Sequence, residues 1–215
     1  MGEVIVFTKV PERGYVKTKL QKELQSHVVE ELYTALLKDA LEKLGDYTPY
    51  VAYYPERKQQ MLWTILGDRN YIVQRGKGMW ERIVNVFNDF YRMGFDYVAA
   101  VNCDAPSLTK GHVEEAFALM RDNDLVLGPA YDGGFYLIGG RGLKQGLFEG
   151  AEWKSRNALE TIAENARKQG LNVAYTERLR DIDTPEDVKA VWESQKLDKN
   201  GKTYEILARI NKQIG

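Results

Sequence analysis

The sequence contains one cysteine, Cys103, and only two histidines, so it has few of the residues that build disulfides and zinc sites. A single cysteine cannot form an internal disulfide or a CxxC metal pair, and its place after an apolar run is typical of a small buried residue. Because no histidine pattern accompanies it, a cysteine nucleophile is disfavoured. These absences predict a reducing, cytoplasmic setting.

Excess charge of either sign and long apolar runs are also absent. Thirty Lys and Arg residues balance 31 Asp and Glu residues, for a net charge of −1. A basic site must therefore come from local clustering, and nucleic acid is disfavoured as the main partner. No apolar segment approaches membrane-spanning length, and the first residues have a strand pattern rather than that of a signal peptide. We expect a soluble protein with neither a nucleic-acid nor a membrane partner.

Two common nucleotide-binding signatures are missing as well. The residue before Lys17-Thr18 is Val16, and the glycine pattern of a Walker A loop does not precede it. In the loop that contains Gly76, the third glycine of a G-x-G-x-x-G fingerprint would fall on Glu81. A nucleotide site in this chain must therefore be of another kind.

The chain does contain short apolar strands that alternate with segments of helical periodicity. A length of 215 residues suits one large domain. The alternation predicts βαβ units and hence a three-layer α/β fold, a mostly parallel sheet with helices on both faces. The two strands around Asp132-Gly133 are predicted to form an antiparallel insertion. We predict one domain over residues 1–195 and a helical appendage over residues 196–215.

One predicted strand, apolar on both faces, is followed closely by a carboxylate. Val98 to Val101 is apolar on both faces, as a central parallel strand covered by helices would be. Asp104 follows this strand, and ligands of open α/β sheets bind beyond the carboxyl ends of the strands. Asp104 can hold a divalent metal against phosphate oxygens, or it can bond backbone amides in an Asx turn before Pro106. This stretch alone does not decide between the two interpretations.

A cluster of cations follows the first predicted strand. Four basic residues and Gly14 lie within one short loop, which suits a polyphosphate because cations and free amides at a helix start both bind phosphate. A solvated basic loop is the alternative. The predicted phosphate-binding residues here are Lys9, Arg13, Lys17 and Lys19.

Two glycine loops are further candidates. Gln74 and Gly76 lie between a strand and a helix and could form a second ligand-facing loop, although a flexible turn is the simpler interpretation. Asp132, Gly133 and Gly134 have ordinary hairpin chemistry, but two glycines also allow a ligand to approach the backbone. We expect this second loop to bind substrate or acceptor only if it lies beside Asp104.

A late acidic segment combines a helix start with two further carboxylates. Thr184, Pro185 and Asp187 form a helix N-terminus with a capping box. Asp181 and Asp183 remain, and in an extended segment they share one face. Their repulsion requires a cation or an arginine, so Asp183 is a candidate metal ligand opposite Asp104. A salt bridge from Arg180 within the fold is the alternative.

Six segments, taken in order from about Val4 to Val191, resemble the DUF2064 family of nucleotide-diphospho-sugar transferase-like proteins. The segments are FTKVPERGYVKTKL, QRGKGMWERI, NCDAPSL, LGPAYDGGFYLIGG, FEGAEWKS and DIDTPEDV. The resemblance implies a glycosyltransferase-A-type fold, related to molybdenum-cofactor nucleotidyltransferases and to 2-phospholactate guanylyltransferase. It also implies that the basic loop holds nucleotide phosphates and that Asp104 and Asp183 hold Mg²⁺ (or Mn²⁺).

The chain departs from the family pattern at two places. Lys19 stands where the family usually has arginine, which keeps the charge but loses a bidentate fork. Trp153-Lys154-Ser155 stands where the family usually has W-S-T, beside the predicted acceptor contact Trp153.

The combined expectation is a Mg²⁺-dependent transferase that moves a nucleotidyl group from a nucleoside triphosphate to a small phosphorylated or acidic acceptor. Lys17 and Asp104 are the predicted catalytic residues, and the cation cluster would stabilise the pyrophosphate leaving group. A glycosyltransferase with a nucleotide-sugar donor, in which Asp132 contacts the sugar or acceptor, is the alternative. A non-catalytic nucleotide-binding module is a third hypothesis. The sequence does not determine the base of the nucleotide, the acceptor or whether the protein forms a homodimer.

Overall fold

The computed structural model describes residues 2–153 and 155–214. Met1, Lys154 and Gly215 lie outside these residues, so the second departure from the family pattern is described only in part. The described strands are β1 Gly2–Lys9, β2 Tyr50–Tyr54, β3 Tyr71–Val73, β4 Tyr97–Asn102, β5 Leu125–Pro129, β6 Phe135–Gly140 and β7 Val173–Tyr175. The described α-helices are α1 Ser26–Lys43, α2 Gln59–Leu66, α3 Met79–Arg92, α4 Lys110–Leu119, α5 Ala158–Lys168, α6 Pro185–Glu193 and α7 Lys202–Ile214.

The strands form one sheet in the order β3-β2-β1-β4-β6-β5-β7. Strand β6 is antiparallel to β4 and to β5, and the other neighbours are parallel. The sheet confirms the predicted α/β fold and the predicted antiparallel insertion, because β5 and β6 flank the turn that contains Asp132 and Gly133.

Alternating residues of the central strands supply two separate cores. In β1, Val4 and Val6 pack with α1 and α4 on one face of the sheet, whereas Ile5 packs with α3 and α5 on the other. This alternation follows from the pleat of a strand, in which successive side chains point to opposite faces. The helices thus cover both faces and leave the carboxyl edge of the sheet accessible.

A third apolar cluster joins α1, α6 and α7. Ile206, Leu207 and Ile210 of α7 are buried there. The N-terminus of α7 is capped from α1, because the Asp39 carboxylate accepts hydrogen bonds from the backbone N–H groups of Lys202 at 3.2 Å and Thr203 at 2.8 Å. The predicted boundary at residue 195, between the transferase domain and a C-terminal appendage, stays a prediction.

Asp39→Ala is expected to lower the free energy of unfolding by about 1–2 kcal/mol, because it leaves two N–H groups at the start of α7 without their acceptor, and the one of Thr203 is buried. Urea unfolding measures the effect. Glu42→Ala on the exposed side of α1 is the control and should change stability by less than about 0.5 kcal/mol. Equal effects of the two substitutions would contradict the capping role.

None of the helices within residues 2–153 and 155–214 has both the length and the apolar character that a membrane crossing requires.

The chain beyond β7 lies along the carboxyl edge of the sheet. Leu179 pairs with Ala130 beyond the end of β5, and its carbonyl accepts a hydrogen bond from the N–H of Tyr131. Next along the segment, the N–H of Ile182 donates to the carbonyl of Asp104 at 2.9 Å. These backbone bonds bring the late acidic segment beside both the central strand and the turn between β5 and β6.

Candidate active site

A lysine ammonium group lies between two carboxylates at this edge. The Nζ atom of Lys17 is 2.9 Å from Oδ1 of Asp104 and 2.8 Å from Oδ1 of Asp183. Only 4% of the Lys17 side chain is exposed. Val16 and Leu20, which flank it in the loop after β1, are buried in the core. These two anchors fix the loop so that Lys17 extends into the protein.

The ion pairs keep Lys17 positively charged. Burial by itself lowers the pKa of this ammonium group, but the charges of Asp104 and Asp183 more than offset that effect. The net pKa lies above its ordinary value. Lys17 therefore acts as a fixed cation at neutral pH, and it has no free base form that could abstract a proton.

Three carboxylates converge beside this lysine. One oxygen from each of Asp132, Asp181 and Asp183 lies within 4.8 Å of the others. Asp181 is 8% exposed, and no hydrogen bond to its carboxylate is found among the described residues. Burial and then the negative charge of Asp132 raise the pKa of Asp181 to about 7. The group is therefore costly to ionise without an additional cation.

These residues fit a divalent cation. The Lys17 ammonium shows that Asp104 and Asp183 already converge on one point of positive charge. Asp132 and Asp181 add two further oxygens around Asp183. Carboxylate oxygens are the ligands that Mg²⁺ and Mn²⁺ prefer.

The other predicted phosphate-binding cations occupy different places. Nζ of Lys19 is 3.6 Å from Oδ2 of Asp183, and Lys19 is more than half exposed. Lys9 lines the cavity in front of Lys17. Arg13 points away, because its Nε atom pairs with Oε2 of Glu30 on α1 at 3.3 Å. The loop thus directs Lys17 and Lys19 toward the carboxyl edge, where Lys9 ends β1, and directs Arg13 toward α1.

The loop after β3 lies at the far side of the cavity. The amide group of Gln74 is buried and donates to the carbonyls of Thr8 and Ala52, so it ties β1 and β2 together. The Gly76 carbonyl accepts a hydrogen bond from Nε of Arg82. Both contacts are internal to the fold, and Gln74 and Arg82 also line the cavity.

The turn between β5 and β6 brings Asp132 into the acidic group. Oδ1 of Asp132 accepts a hydrogen bond from the N–H of Gly134 at 2.8 Å, as in an Asx turn. Gly133 has φ +91°, and a Cβ at this position would lie 1.9 Å from the Arg156 carbonyl oxygen. The carbonyl of Gly133 in turn accepts from the N–H of Leu159. Gly133 thus packs the turn against the start of α5.

Gly133→Ala is expected to destabilise the protein by about 2–4 kcal/mol, since the methyl group meets backbone and the residue has positive φ. Thermal or urea unfolding measures the loss. Gly142→Ala is the control, because a Cβ there meets nothing within 4 Å. A wild-type melting temperature for Gly133→Ala would contradict this packing.

Aromatic side chains form one wall of the cavity. Trp153 is 43% exposed and meets Trp80 edge to face, with ring centroids 5.0 Å apart. Trp80 stacks on Phe148 and on Phe135. The cavity, of about 150 Å³, is lined by the apolar Phe135, Trp153 and Met79 and by the charged Lys17, Asp104 and Asp183, among others. A ligand larger than this cavity must extend over its open rim.

The segment before α6 matches the predicted helix start. Oγ1 of Thr184 accepts a hydrogen bond from the N–H of Asp187, and the Asp187 carboxylate reciprocates, as in a capping box. Arg180 pairs with Asp187 at 3.5 Å. Ile182 is buried, while Asp181 and Asp183 face the acidic group, as the alternation predicts.

Some residues at this edge were not singled out by the sequence. Oδ1 of Asn102 accepts a hydrogen bond from the N–H of Asp104, and its Nδ2 donates to the Phe135 carbonyl. Asn102 therefore orients the turn that presents Asp104. In the sequence, the signal for this role is the position of Asn102 at the end of the central strand. The sequence predicts that Asp181 forms a carboxylate pair with Asp183, whereas its proximity to Asp132 depends on the fold.

Comparisons with known proteins agree with this architecture. The family of uncharacterized proteins conserved in bacteria (DUF2064) matches residues 34–155. A protein from Desulfovibrio desulfuricans G20, described as a candidate nucleotide-diphospho-sugar transferase, is 26% identical, with a TM-score of 0.92 over 99% of this chain and 96% of that one. No curated protein matches the chain.

More distant structures share the fold alone. The inositol-1-phosphate CTP transferase of T. maritima is 16% identical, with a TM-score of 0.59 over 97% of this chain and 96% of its own. The 4-diphosphocytidyl-2C-methyl-D-erythritol synthase of Anaerococcus prevotii is 9% identical, with a TM-score of 0.55 over 90% of this chain and 99% of its own.

Proposed function

The chain belongs to the DUF2064 family, and from that premise we propose that it is a transferase that binds a nucleoside triphosphate and a divalent metal at the carboxyl edge of its sheet. It moves a nucleotidyl group to a small phosphorylated or acidic acceptor. An ionised phosphate or carboxylate oxygen of the acceptor attacks the α-phosphorus. The bond between the α-phosphorus and the oxygen that bridges to the β-phosphorus then breaks, which releases pyrophosphate.

The observation that carries this proposal is the arrangement of Lys17 between Asp104 and Asp183. It places a fixed cation between two carboxylates that converge on it, and all three side chains line the cavity. Two further cations lie nearby, Lys9 at the end of β1 and Lys19 in the loop that follows it. Phosphoryl chemistry of this kind requires charge neutralisation and in-line positioning rather than a protein nucleophile. Two solved structures of the same fold are described as a CTP transferase and a diphosphocytidyl synthase.

The metal, Mg²⁺ or Mn²⁺, is assigned to Asp104 and Asp183, with Asp132 and Asp181 within reach of the same region. When bound, it would neutralise phosphate oxygens and hold the triphosphate in place. Lys9, Lys17 and Lys19 would bind the β- and γ-phosphates and stabilise the pyrophosphate as it leaves. The aromatic wall of Phe135 and Trp153 would receive the less polar part of the acceptor.

The proposal is tested in two steps. The protein is first melted with ATP, CTP, GTP and UTP, each with and without Mg²⁺, and at least one triphosphate should raise the melting temperature in a metal-dependent way. That triphosphate is then incubated with sugar phosphates and small phosphorylated acids, and pyrophosphate is measured. Metal-dependent binding with pyrophosphate release supports the function. Failure of all four triphosphates to bind would refute it.

Glycosyl transfer from a nucleotide sugar is the second candidate. The observation that favours it is the likeness to the Desulfovibrio protein, at 26% identity and a TM-score of 0.92. The same carboxylates would hold the diphosphate of the donor through the metal, and Asp132 would contact the sugar or the acceptor. Release of nucleoside diphosphate from a nucleotide sugar identifies this reaction, and binding without turnover identifies a non-catalytic module.

A further inference from the structure

Lys17 occupies the position toward which the two assigned metal ligands converge. Its Nζ atom lies 2.9 Å from Asp104 and 2.8 Å from Asp183, distances typical of charge-assisted hydrogen bonds. A divalent cation bound to the same two oxygens would be placed close to the ammonium group. The metal ion and the Lys17 ammonium group would then repel each other strongly, because the site is partly buried and charges there are poorly screened.

We propose that Lys17 is an internal competitor of the metal, which fills the Asp104–Asp183 position until nucleotide and metal arrive together. The inference rests on the proposed function, because it concerns how that metal is admitted. It assigns Lys17 two successive partners, the carboxylates in the free protein and the phosphates in the complex.

The backbone conformation of Lys17 indicates that the surrounding contacts hold this residue in place. Lys17 has φ +45°, in the left-handed region that residues with a side chain rarely adopt. Such a conformation persists where surrounding contacts over-determine it. Val16 and Leu20 supply buried anchors on either side, and the two ion pairs supply the rest. Loss of the ion pairs would allow the backbone at Lys17 to relax.

Lys19 provides a second point of competition at the same carboxylate. It approaches the other oxygen of Asp183, at 3.6 Å, and its side chain is 55% exposed. Asp183 is therefore neutralised from two sides in the free protein. A triphosphate would attract both lysines and free Asp183 for the metal, so metal and nucleotide should each increase the affinity of the protein for the other.

The first test measures Mn²⁺ binding to the nucleotide-free protein, by the electron paramagnetic resonance signal of free Mn²⁺. Lys17→Met should bind Mn²⁺ more tightly than wild type by roughly tenfold or more, since it removes a competing charge. Lys22→Met, which removes an exposed cation from the same loop region, should leave the affinity near that of wild type. Unchanged or weaker binding by Lys17→Met would overturn the inference.

The second test needs no substitution, which matters because Lys17→Met leaves two carboxylates without their partner and could unfold. Wild-type protein is treated with an amine-acetylating reagent with and without saturating Mg²⁺, in the absence of any phosphate, and each lysine is followed by mass spectrometry. Lys17 should be protected in the free protein by its two carboxylate partners and should become more reactive when Mg²⁺ displaces it from them. Exposed Lys22 should react equally in both conditions. Equal protection of Lys17 in both conditions would overturn the inference.

The proposed function fails on a different result. It is refuted if wild-type protein shows no metal-dependent binding of any triphosphate. The competition by Lys17 is refuted if metal-dependent binding is present but Lys17 neither restrains Mn²⁺ nor responds to Mg²⁺. The two outcomes are therefore separable.

Discussion

Asp183→Asn is expected to reduce metal-dependent turnover by on the order of 10³-fold while the protein stays folded, the scale of loss seen when one preorganised charge-stabilising group is removed. The carboxylate contacts Lys17 through one oxygen and Lys19 through the other, and it belongs to the acidic group with Asp132 and Asp181. The amide keeps the shape of the side chain but loses the charge that holds a metal. Pyrophosphate release at saturating triphosphate measures the effect.

Asp104→Asn should show a loss of similar size, and the double variant should lose little more than either single one. Groups that act as a unit are strongly non-additive. Asp46→Asn, an exposed residue paired with Lys110, is the control for loss of one negative charge and should keep wild-type turnover. If Asp104→Asn still binds triphosphate in a Mg²⁺-dependent way, Asp104 is not a metal ligand and only forms the turn, which an asparagine can also do.

The proximity of Asp104 and Asp183 could be anticipated because both follow segments that end at one edge of a parallel sheet. The alternation of Asp181, Ile182 and Asp183 also predicted which side chains are buried in the core and which are presented. These inferences depend only on the period of a strand and on the rule that ligands of open α/β sheets bind beyond the carboxyl ends of the strands. Such features are local in the sequence or follow from general rules of α/β folds.

The partner of each cation could not be anticipated in the same way. Arg13 and Lys17 lie in one loop, yet Arg13 pairs with Glu30 and Lys17 extends inward to the carboxylates. The difference depends on the positive φ of Lys17 and on the burial of Val16 beside it. Neither can be read from composition or spacing. A charge pattern indicates that a loop is basic, whereas the backbone path decides where each charge points.

Asp181→Asn is expected to raise the melting temperature of the metal-free protein at pH 8 and to raise it less near pH 5. The pKa of Asp181 is raised from 3.8 to about 7 by burial and then by Asp132, with smaller contributions from Asp183 and Asp104 and an opposing one from Lys17. Between these two pKa values the folded state binds a proton that the unfolded state has released. Stability is therefore lost progressively as the pH rises from 3.8 to about 7, and the loss is complete above that interval.

Thermal unfolding in EDTA at a series of pH values measures this dependence, which should be weaker in Asp181→Asn because the amide does not titrate. Added Mn²⁺ should stabilise wild type at pH 8 and should stabilise the variant less, since a cation offsets the charge that only wild type carries. Compared with wild type, Asp181→Asn should therefore be more stable without metal and should gain less stability when Mn²⁺ is added. If Asp181→Asn were less stable than wild type at pH 8 in EDTA, the carboxylate would instead be a stabilising ion-pair partner of Lys17.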